Sequence, residues 1–170
     1  MARQIDLPDI GEVVRGILQR VPRDQQPILL AQRERVSAAR YRSWASEIAD
    51  PDRRSAFLAC ADREEEIARQ VEALYPAAAS IQEEILAKNP DLTSITGSLF
   101  SAYPLGQQFI LQARGERFGA ATWRSFAQGE QSPEARKVFL DCAVLEEESA
   151  AFLESISGGQ GSCSGRPGNV

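Results

Sequence analysis

The sequence predicts an all-α protein, and three observations support that prediction. No stretch shows the sustained alternation of apolar and polar residues that is typical of a half-buried strand. Long stretches instead repeat apolar residues at the three- and four-residue spacing of a helix. Finally, residues 8–75 match residues 90–157 without gaps, at a constant offset of 82 positions. We interpret this internal repeat as a duplicated helical hairpin.

Length and composition limit the class of protein. With 170 residues, of which 43% are hydrophobic and 25% are charged, the chain fits one globular domain without disulfide or metal staples. We expect this domain to span residues 1–157, and the glycine- and serine-rich residues 158–170 to form a disordered tail. The net charge of −5, with arginine interleaved among acidic residues, argues against a nucleic-acid surface.

Two absences from the sequence bear on location and chemistry. The N-terminus has no apolar segment of signal-peptide length, and no apolar stretch approaches the roughly 18 residues of a membrane span. We therefore expect a cytoplasmic protein with no membrane partner. The sequence also contains no histidine. Any chemistry must then use carboxylates, cysteine, tyrosine or a bound cofactor.

Each repeat is predicted to contain a short helix followed by two long ones. Asp9 and Asp91 stand at the N-cap position of the short helices Ile10–Leu18 and Leu92–Phe100. A helix over Ala77–Lys88 is expected to connect the repeats. Prolines are expected to open the second long helix of each repeat. The predicted long helices are Gln25–Ala49, Asp52–Leu74, Gln107–Glu130 and Pro133–Ile156.

An acidic triplet occurs once in each repeat, as Glu64–Glu66 and as Glu146–Glu148. The first glutamate of each triplet falls on the apolar face of its helix, in helical register with the neighbouring Phe, Ala and Val or Leu residues. The preceding long helix of each repeat places one glutamate on its apolar face in the same way. The four glutamates predicted to face a common core are Glu34, Glu64, Glu116 and Glu146.

Four carboxylates in one core require compensation. Burying an unpaired carboxylate costs several kcal/mol, against a total protein stability of about 5–15 kcal/mol. The group must therefore bind cations, take up protons or meet arginine side chains. Divalent metal ions between facing helices fit this geometry most directly, and carboxylate oxygens favour iron, manganese or magnesium.

The pattern resembles the ferritin-like superfamily, particularly the rubrerythrin and bacterioferritin group of di-iron carboxylate proteins. The resemblance covers residues 22–157 and rests on the duplicated hairpin, the long connection between its halves and the four glutamates. It implies a four-helix bundle with a dinuclear iron or manganese site. Glu64 and Glu146 would bridge two ions. Glu34 and Glu116 would each bind one of them.

One departure from the family concerns nitrogen ligands. Where the family has Glu-x-x-His on the second and fourth helices, this chain has Ile67 and Ser149. The resemblance therefore implies a divergent member with a carboxylate-only metal site, or the remnant of one. Such a protein would act as a metal-dependent oxidoreductase or in metal handling, and the sequence leaves open whether it is an enzyme at all.

Two other interpretations stay open. In the first, the protein is a non-enzymatic helical scaffold that forms a homodimer or docks another partner through its short helices or the connecting helix. The glutamates are then a remnant site, protonated or paired with Arg35, Arg42, Arg117 and Arg124. In the second, less favoured interpretation, the chain is an all-α nucleotide pyrophosphohydrolase that binds Mg²⁺, although positions 67 and 149 lack the acidic residues that it needs.

Other residues near the four glutamates carry weaker predictions. The remaining glutamates of both triplets are expected to be solvated. Cys60 and Cys142 lie one turn before Glu64 and Glu146, and are expected to fill the core as small apolar groups, with thiolate ligation as the alternative. Tyr41 and Trp123 are expected to be core aromatics, with a redox role as the alternative.

Overall fold

A computed structural model describes residues 6–158, and this part of the chain is helical throughout, without a strand. The predicted all-α class is confirmed. No helix in the described range is long and apolar enough to cross a membrane. Two short 3₁₀ turns occur at Arg23–Gln25 and Pro90–Thr93. The α-helices are α1 (Ile10–Leu18), α2 (Gln26–Glu47), α3 (Pro51–Ala73), α4 (Ala78–Lys88), α5 (Ile95–Ser101), α6 (Leu105–Gly129) and α7 (Pro133–Gly158).

The four long helices pack in pairs. Helix α2 lies against α3, α6 lies against α7, and α3 contacts α7 between the pairs. Within the first pair, Arg35 contacts Glu72 and Arg42 contacts Glu65, so the two helices run in opposite directions. The second pair is antiparallel for the same reason, with the ion pairs Arg117–Glu154 and Arg124–Glu147.

The predicted ends of the long helices agree with the structure to within two residues. Prolines start α3 and α7, where a missing backbone N–H costs nothing. Asp9 caps α1 as predicted, because its Oδ1 accepts hydrogen bonds from the backbone N–H groups of Gly11 and Glu12 at 2.9 and 3.3 Å. The predicted tail, residues 158–170, lies outside the described residues except for Gly158, which ends α7.

The predicted short helix Leu92–Phe100 with Asp91 as its cap is wrong. Pro90–Thr93 forms a 3₁₀ turn, and α5 begins only at Ile95. The Asp91 carboxylate does not cap a helix, because Arg20 donates to both of its oxygens at 2.8 and 2.7 Å. The two short segments therefore differ between the repeats, although their sequences align.

The short helices cover the space between the two long pairs. Helix α1 packs against α6 and α2, and α5 packs against α6. The buried apolar residues form two clusters, one around Trp44 and Phe57 and the other around Trp123 and Phe139. The carboxylate site described below lies on the inner faces of the long helices and is reached from the side covered by α1 and α5.

Candidate carboxylate metal site

Three of the four predicted glutamates converge inside the protein. Glu34 on α2, Glu64 on α3 and Glu146 on α7 each offer a carboxylate oxygen, and these oxygens lie within 4.8 Å of one another. All three side chains are buried, and Glu64 is completely inaccessible to solvent. Each residue occupies the apolar face of its helix, so helical spacing accounts for their meeting.

Glu116 on α6 is also buried but lies outside this group of three. Its Oε1 accepts hydrogen bonds from the Tyr41 hydroxyl at 2.7 Å and from the Gln112 side-chain amide at 2.6 Å. Its carboxyl group is within hydrogen-bonding reach of Glu146. All four glutamates therefore belong to one carboxyl cluster, in which Glu116 alone is held by two protein donors.

Two further side chains donate hydrogen bonds to the first glutamate of each acidic triplet. Trp123 Nε1–H donates to Glu146 Oε1 at 2.9 Å. Ser149 Oγ donates to Glu64 Oε1 at 3.1 Å. The other oxygen of Glu64, Oε2, is buried and has no hydrogen-bond partner among the described residues. An unpaired buried carboxyl oxygen is costly, and it indicates a missing ligand or proton.

Burial strongly raises the pKa values of three glutamates in this cluster. Desolvation, reinforced by the Glu116 carboxylate, raises the pKa of Glu34 to about 8. Desolvation also raises the pKa of Glu64 and of Glu146 well above the ordinary carboxyl value, with further contributions from the neighbouring glutamates. Without a cation, the cluster therefore holds protons at neutral pH.

The structure contradicts the alternative in which these glutamates pair with arginine. Arg35, Arg42, Arg117 and Arg124 form ion pairs with glutamates on the outer surface of the helix pairs, because each follows an inward-facing residue by one position. Within residues 6–158, no lysine or arginine lies within 4.0 Å of a carboxyl oxygen of the buried cluster. The outer glutamates of both triplets are partly or fully exposed, as expected.

A cavity of about 60 Å³ leads to the cluster between α1, α2, α5 and α6. Its inner end is lined by Glu34, Glu116 and Glu146. Gly119 forms part of its wall, and a Cβ at that position would lie 2.7 Å from the Glu146 carboxyl carbon. The absence of a side chain on this turn of α6 thus leaves room for the Glu146 carboxyl group.

The two cysteines do not join the carboxyl group of three. Cys60 and Cys142 are buried and free. Burial raises the pKa of the Cys60 thiol to about 11 and raises that of Cys142 further, so both thiols are neutral at physiological pH. Their predicted role as small apolar fillers agrees with their place in the two apolar clusters.

Several residues that shape the site were not predicted from the sequence. The donors Gln112 and Ser149, the buried Arg33 and the half-buried Arg40 have no counterpart of the same type in the other repeat. That asymmetry is the signal that could have identified them, because a shared structural role would be expected to repeat. Gly119 aligns with Ser37 of the first repeat, so this position also differs in residue type between the repeats.

A scan against protein-family models, a search of curated proteins and a search of solved structures each found no match. The chemistry of the site must therefore be inferred from its own residues. Three carboxylate oxygens at this spacing, one of them beside an unpartnered carboxyl oxygen, suit a hard divalent cation. The donor set thus fits iron in its ferrous state, manganese or magnesium.

Proposed function

We propose that this chain is a divergent ferritin-like four-helix bundle with a carboxylate-only dinuclear metal site, acting in the cytoplasm as a metal-dependent oxidoreductase or in metal handling. The observation that carries the proposal is the convergence of Glu34, Glu64 and Glu146 within 4.8 Å in a buried core without an arginine partner. Metal ions would cancel charge that otherwise requires protonation.

The arrangement of the long helices supports the proposed duplicated hairpin. The ion pair Arg35–Glu72 recurs as Arg117–Glu154, and both residues have moved by the offset of the sequence repeat. Equivalent contacts at equivalent positions are what two copies of one hairpin would produce. A bundle core is also where carboxylate metal sites are built from facing helices.

The four glutamates would be divided unequally between the two metal ions. Glu34, Glu64 and Glu146 would hold one ion, and Glu116 with Glu146 would complete the site for a second. Tyr41 and Gln112 hold the Glu116 carboxylate, and Trp123 holds that of Glu146. These donors fix the orientation of the ligands, as supporting residues do in metal sites generally.

The chain's own residues would also control access to the site. The cavity beside Glu116 and Glu146 is small, which limits the size of the molecules that can reach the cluster. Bound iron or manganese would supply electron transfer to oxygen or peroxide. With their raised pKa values, Glu34 and Glu64 would release protons on metal binding, so loading should be stronger at higher pH.

A second candidate is a helical scaffold with a remnant of the metal site. The hydrogen bonds from Ser149 and Trp123 favour it, because they partly satisfy Glu64 and Glu146 without a metal. Under this alternative the carboxyl groups stay protonated at neutral pH. Replacing them by neutral amides would then leave stability unchanged or raise it.

Metal analysis of matched variants separates the two candidates. The protein is purified after growth with iron and manganese, reconstituted anaerobically with each ion, and analysed by inductively coupled plasma mass spectrometry. The test variants are Glu64→Gln and Glu146→Gln. The controls are Glu65→Gln and Glu147→Gln, which change the next, more exposed residue of each triplet.

The metal site predicts about two ions per chain in the wild type and in both controls, and a large loss in both test variants. It also predicts a higher melting temperature of the wild type when metal is added, because the ions bind only the folded state. Wild-type protein that retains no metal after reconstitution, with test variants at least as stable, would instead establish the scaffold.

A further inference from the structure

The cavity that leads to the carboxyl cluster is lined by two arginines of α2, Arg33 and Arg40. Arg33 is buried and donates to the Leu92 carbonyl oxygen at 2.5 Å and to Thr96 Oγ1 at 2.6 Å. Arg40 donates to Gln112 Oε1 at 2.6 Å and to the same Thr96 oxygen at 3.2 Å. One hydroxyl group thus holds two guanidinium groups close together.

These two cations lack the partners that the other arginines of the same helix have. Within residues 6–158, neither Arg33 nor Arg40 has a carboxylate oxygen within 4.0 Å, whereas Arg35 and Arg42 both pair with Glu65. Burial and the neighbouring positive charge of Arg33 lower the pKa of Arg40 to about 10, which still leaves it charged at neutral pH. Two adjacent cations, one buried and one half-buried, without an ion-paired carboxylate are costly.

The cavity is shared by these cations and the carboxyl cluster. Arg33 and Arg40 line it together with Glu34, Glu116 and Glu146, so one small space has both basic and acidic lining residues. If two divalent ions occupy the cluster, as proposed above, they cancel the charge of its four carboxylates. The two arginines then remain as surplus positive charge, which an anion in the cavity would neutralise.

We propose that this cavity binds a small organic carboxylate, with its carboxylate group on Arg33 and Arg40 and its other end facing the metal-binding glutamates. Planar guanidinium groups bind carboxylates through paired hydrogen bonds, and the observed contacts use only two of the five N–H groups of each arginine. This inference rests on the proposed function, because the bound carboxylate would present its other end to the metal site.

The size and the entrance of the cavity narrow the ligand class. At about 10–15 Å³ for each water-sized group, a cavity of about 60 Å³ admits about four to six non-hydrogen atoms, and acetate has four. Arg40 and Phe100 also line an outer groove along α2 and α5, and the Arg40 guanidinium lies 3.8 Å from the Phe100 ring centre. An anion entering from this groove would meet Arg40 first.

Acetate binding to wild-type protein and four variants tests the inference. ¹³C-labelled acetate is titrated at constant ionic strength against the Mn²⁺-loaded protein, and its transverse relaxation rate is measured by NMR. The same titration is repeated on metal-free protein, with the change in melting temperature relative to chloride as the readout. The test variants are Arg33→Gln and Arg40→Gln, and the exposed controls on the same helix are Arg35→Gln and Arg42→Gln.

The inference predicts saturable relaxation enhancement that is weakened at least about tenfold in both test variants and little changed in both controls. Acetamide, which has the same shape without the charge, should bind at least about tenfold more weakly to the wild type. Equal binding of acetate and acetamide to the wild type would overturn the inference, and this comparison needs no variant. Equal loss of acetate binding in the test and control variants would also overturn it.

The outcome is distinguishable from that of the metal analysis. Protein that retains metal but binds acetate independently of Arg33 and Arg40 would reject the anion site and leave the proposed metal site intact. Metal-free protein that binds acetate through both arginines, while retaining no metal on reconstitution, would support the anion site and reject the proposed function.

Discussion

Ser149 Oγ donates a hydrogen bond to Glu64 Oε1 across 3.1 Å, which joins α7 to α3 inside the carboxyl cluster. Ser149 stands where the resemblance to rubrerythrin would place a histidine. Its partner position in the first repeat, Ile67, is completely buried and offers no polar atom. Of these two positions only Ser149 therefore offers the cluster a donor, and one oxygen of Glu64 remains without a hydrogen-bond partner among the described residues.

Replacing Ser149 by alanine should destabilise the metal-free protein. The substitution removes the hydrogen bond that α7 donates to Glu64, and leaving a buried polar group unsatisfied costs about 1–3 kcal/mol. The free energy of unfolding is measured by urea denaturation in the presence of EDTA. Ser155→Ala on the same helix changes an exposed residue and should have an effect below about 0.5 kcal/mol. Equal effects at both positions would contradict a role for this hydrogen bond.

Two glycines of α6 offer a matched pair for testing how tightly the Glu146 carboxyl group is enclosed. A Cβ at Gly119 would lie 2.7 Å from the Glu146 carboxyl carbon, whereas a Cβ at Gly115 would make only an ordinary contact of 3.8 Å with Ile10. Alanine generally stabilises a helix by about 0.5–1 kcal/mol over glycine. We expect Gly115→Ala to show that gain and Gly119→Ala to lose about 1–3 kcal/mol through overpacking.

Both variants are compared by urea denaturation and by the metal analysis described above. The displaced Glu146 carboxyl group should lower metal retention in Gly119→Ala but not in Gly115→Ala. Equal stability and equal metal retention in the two variants would show that Glu146 can move away from α6 without loss.

The all-α class and the convergence of three glutamates could be predicted because both depend on periodicity within single helices. Glu34, Glu64 and Glu146 lie on apolar faces at helical spacing, and apolar faces must pack against one another. Antiparallel long helices joined by short loops then bring the middle of each inner face to the same level.

The partners of the glutamates could not be predicted in the same way, because they depend on how separate helices are rotated and covered. A symmetric repeat predicts a symmetric site, yet Tyr41 binds Glu116 across the two repeats whereas Trp123, its counterpart, binds Glu146 within one. The difference between α1 and the shorter α5 breaks the symmetry on the cavity side. Arg33 owes its buried partners to α5 and the turn before it.

Tryptophan fluorescence should report metal binding at Glu146 directly. Trp123 Nε1 is 2.9 Å from Glu146 Oε1, whereas Trp44 Nε1 donates to Gln108 Oε1 at 3.0 Å instead. In Trp44→Phe, Trp123 is the only tryptophan, and its emission should be quenched on titration with paramagnetic Mn²⁺. In Trp123→Phe, the emission of Trp44 should change much less. Quenching of similar size in both variants would indicate that Mn²⁺ binds elsewhere.

The metal-free protein should lose stability as the pH rises from about 5 to about 8, because burial raises the pKa of Glu34 to about 8. The folded protein favours the neutral carboxyl group of Glu34. The contribution of this group to the free energy of unfolding is therefore complete below the ordinary carboxyl pKa and is lost as the pH rises through the raised value. The buried carboxyls of Glu64 and Glu146 act in the same direction. Hydrogen bonds with Glu64 and Glu146, and the charge of Arg33, lower the pKa of Glu34, but their contributions are smaller than that of burial.

Glu34→Gln removes this titration and isolates its contribution. The free energy of unfolding is measured in EDTA at a series of pH values, and we expect a decrease on the order of a few kcal/mol in the wild type across this range. The slope should be shallower in Glu34→Gln and unchanged in Glu65→Gln, which alters a more exposed carboxylate. Saturating Mn²⁺ should reverse the slope, because protons and metal ions compete for the same oxygens. A wild-type stability that is constant or rises with pH in EDTA would show that the carboxyl cluster is not protonated in the folded protein.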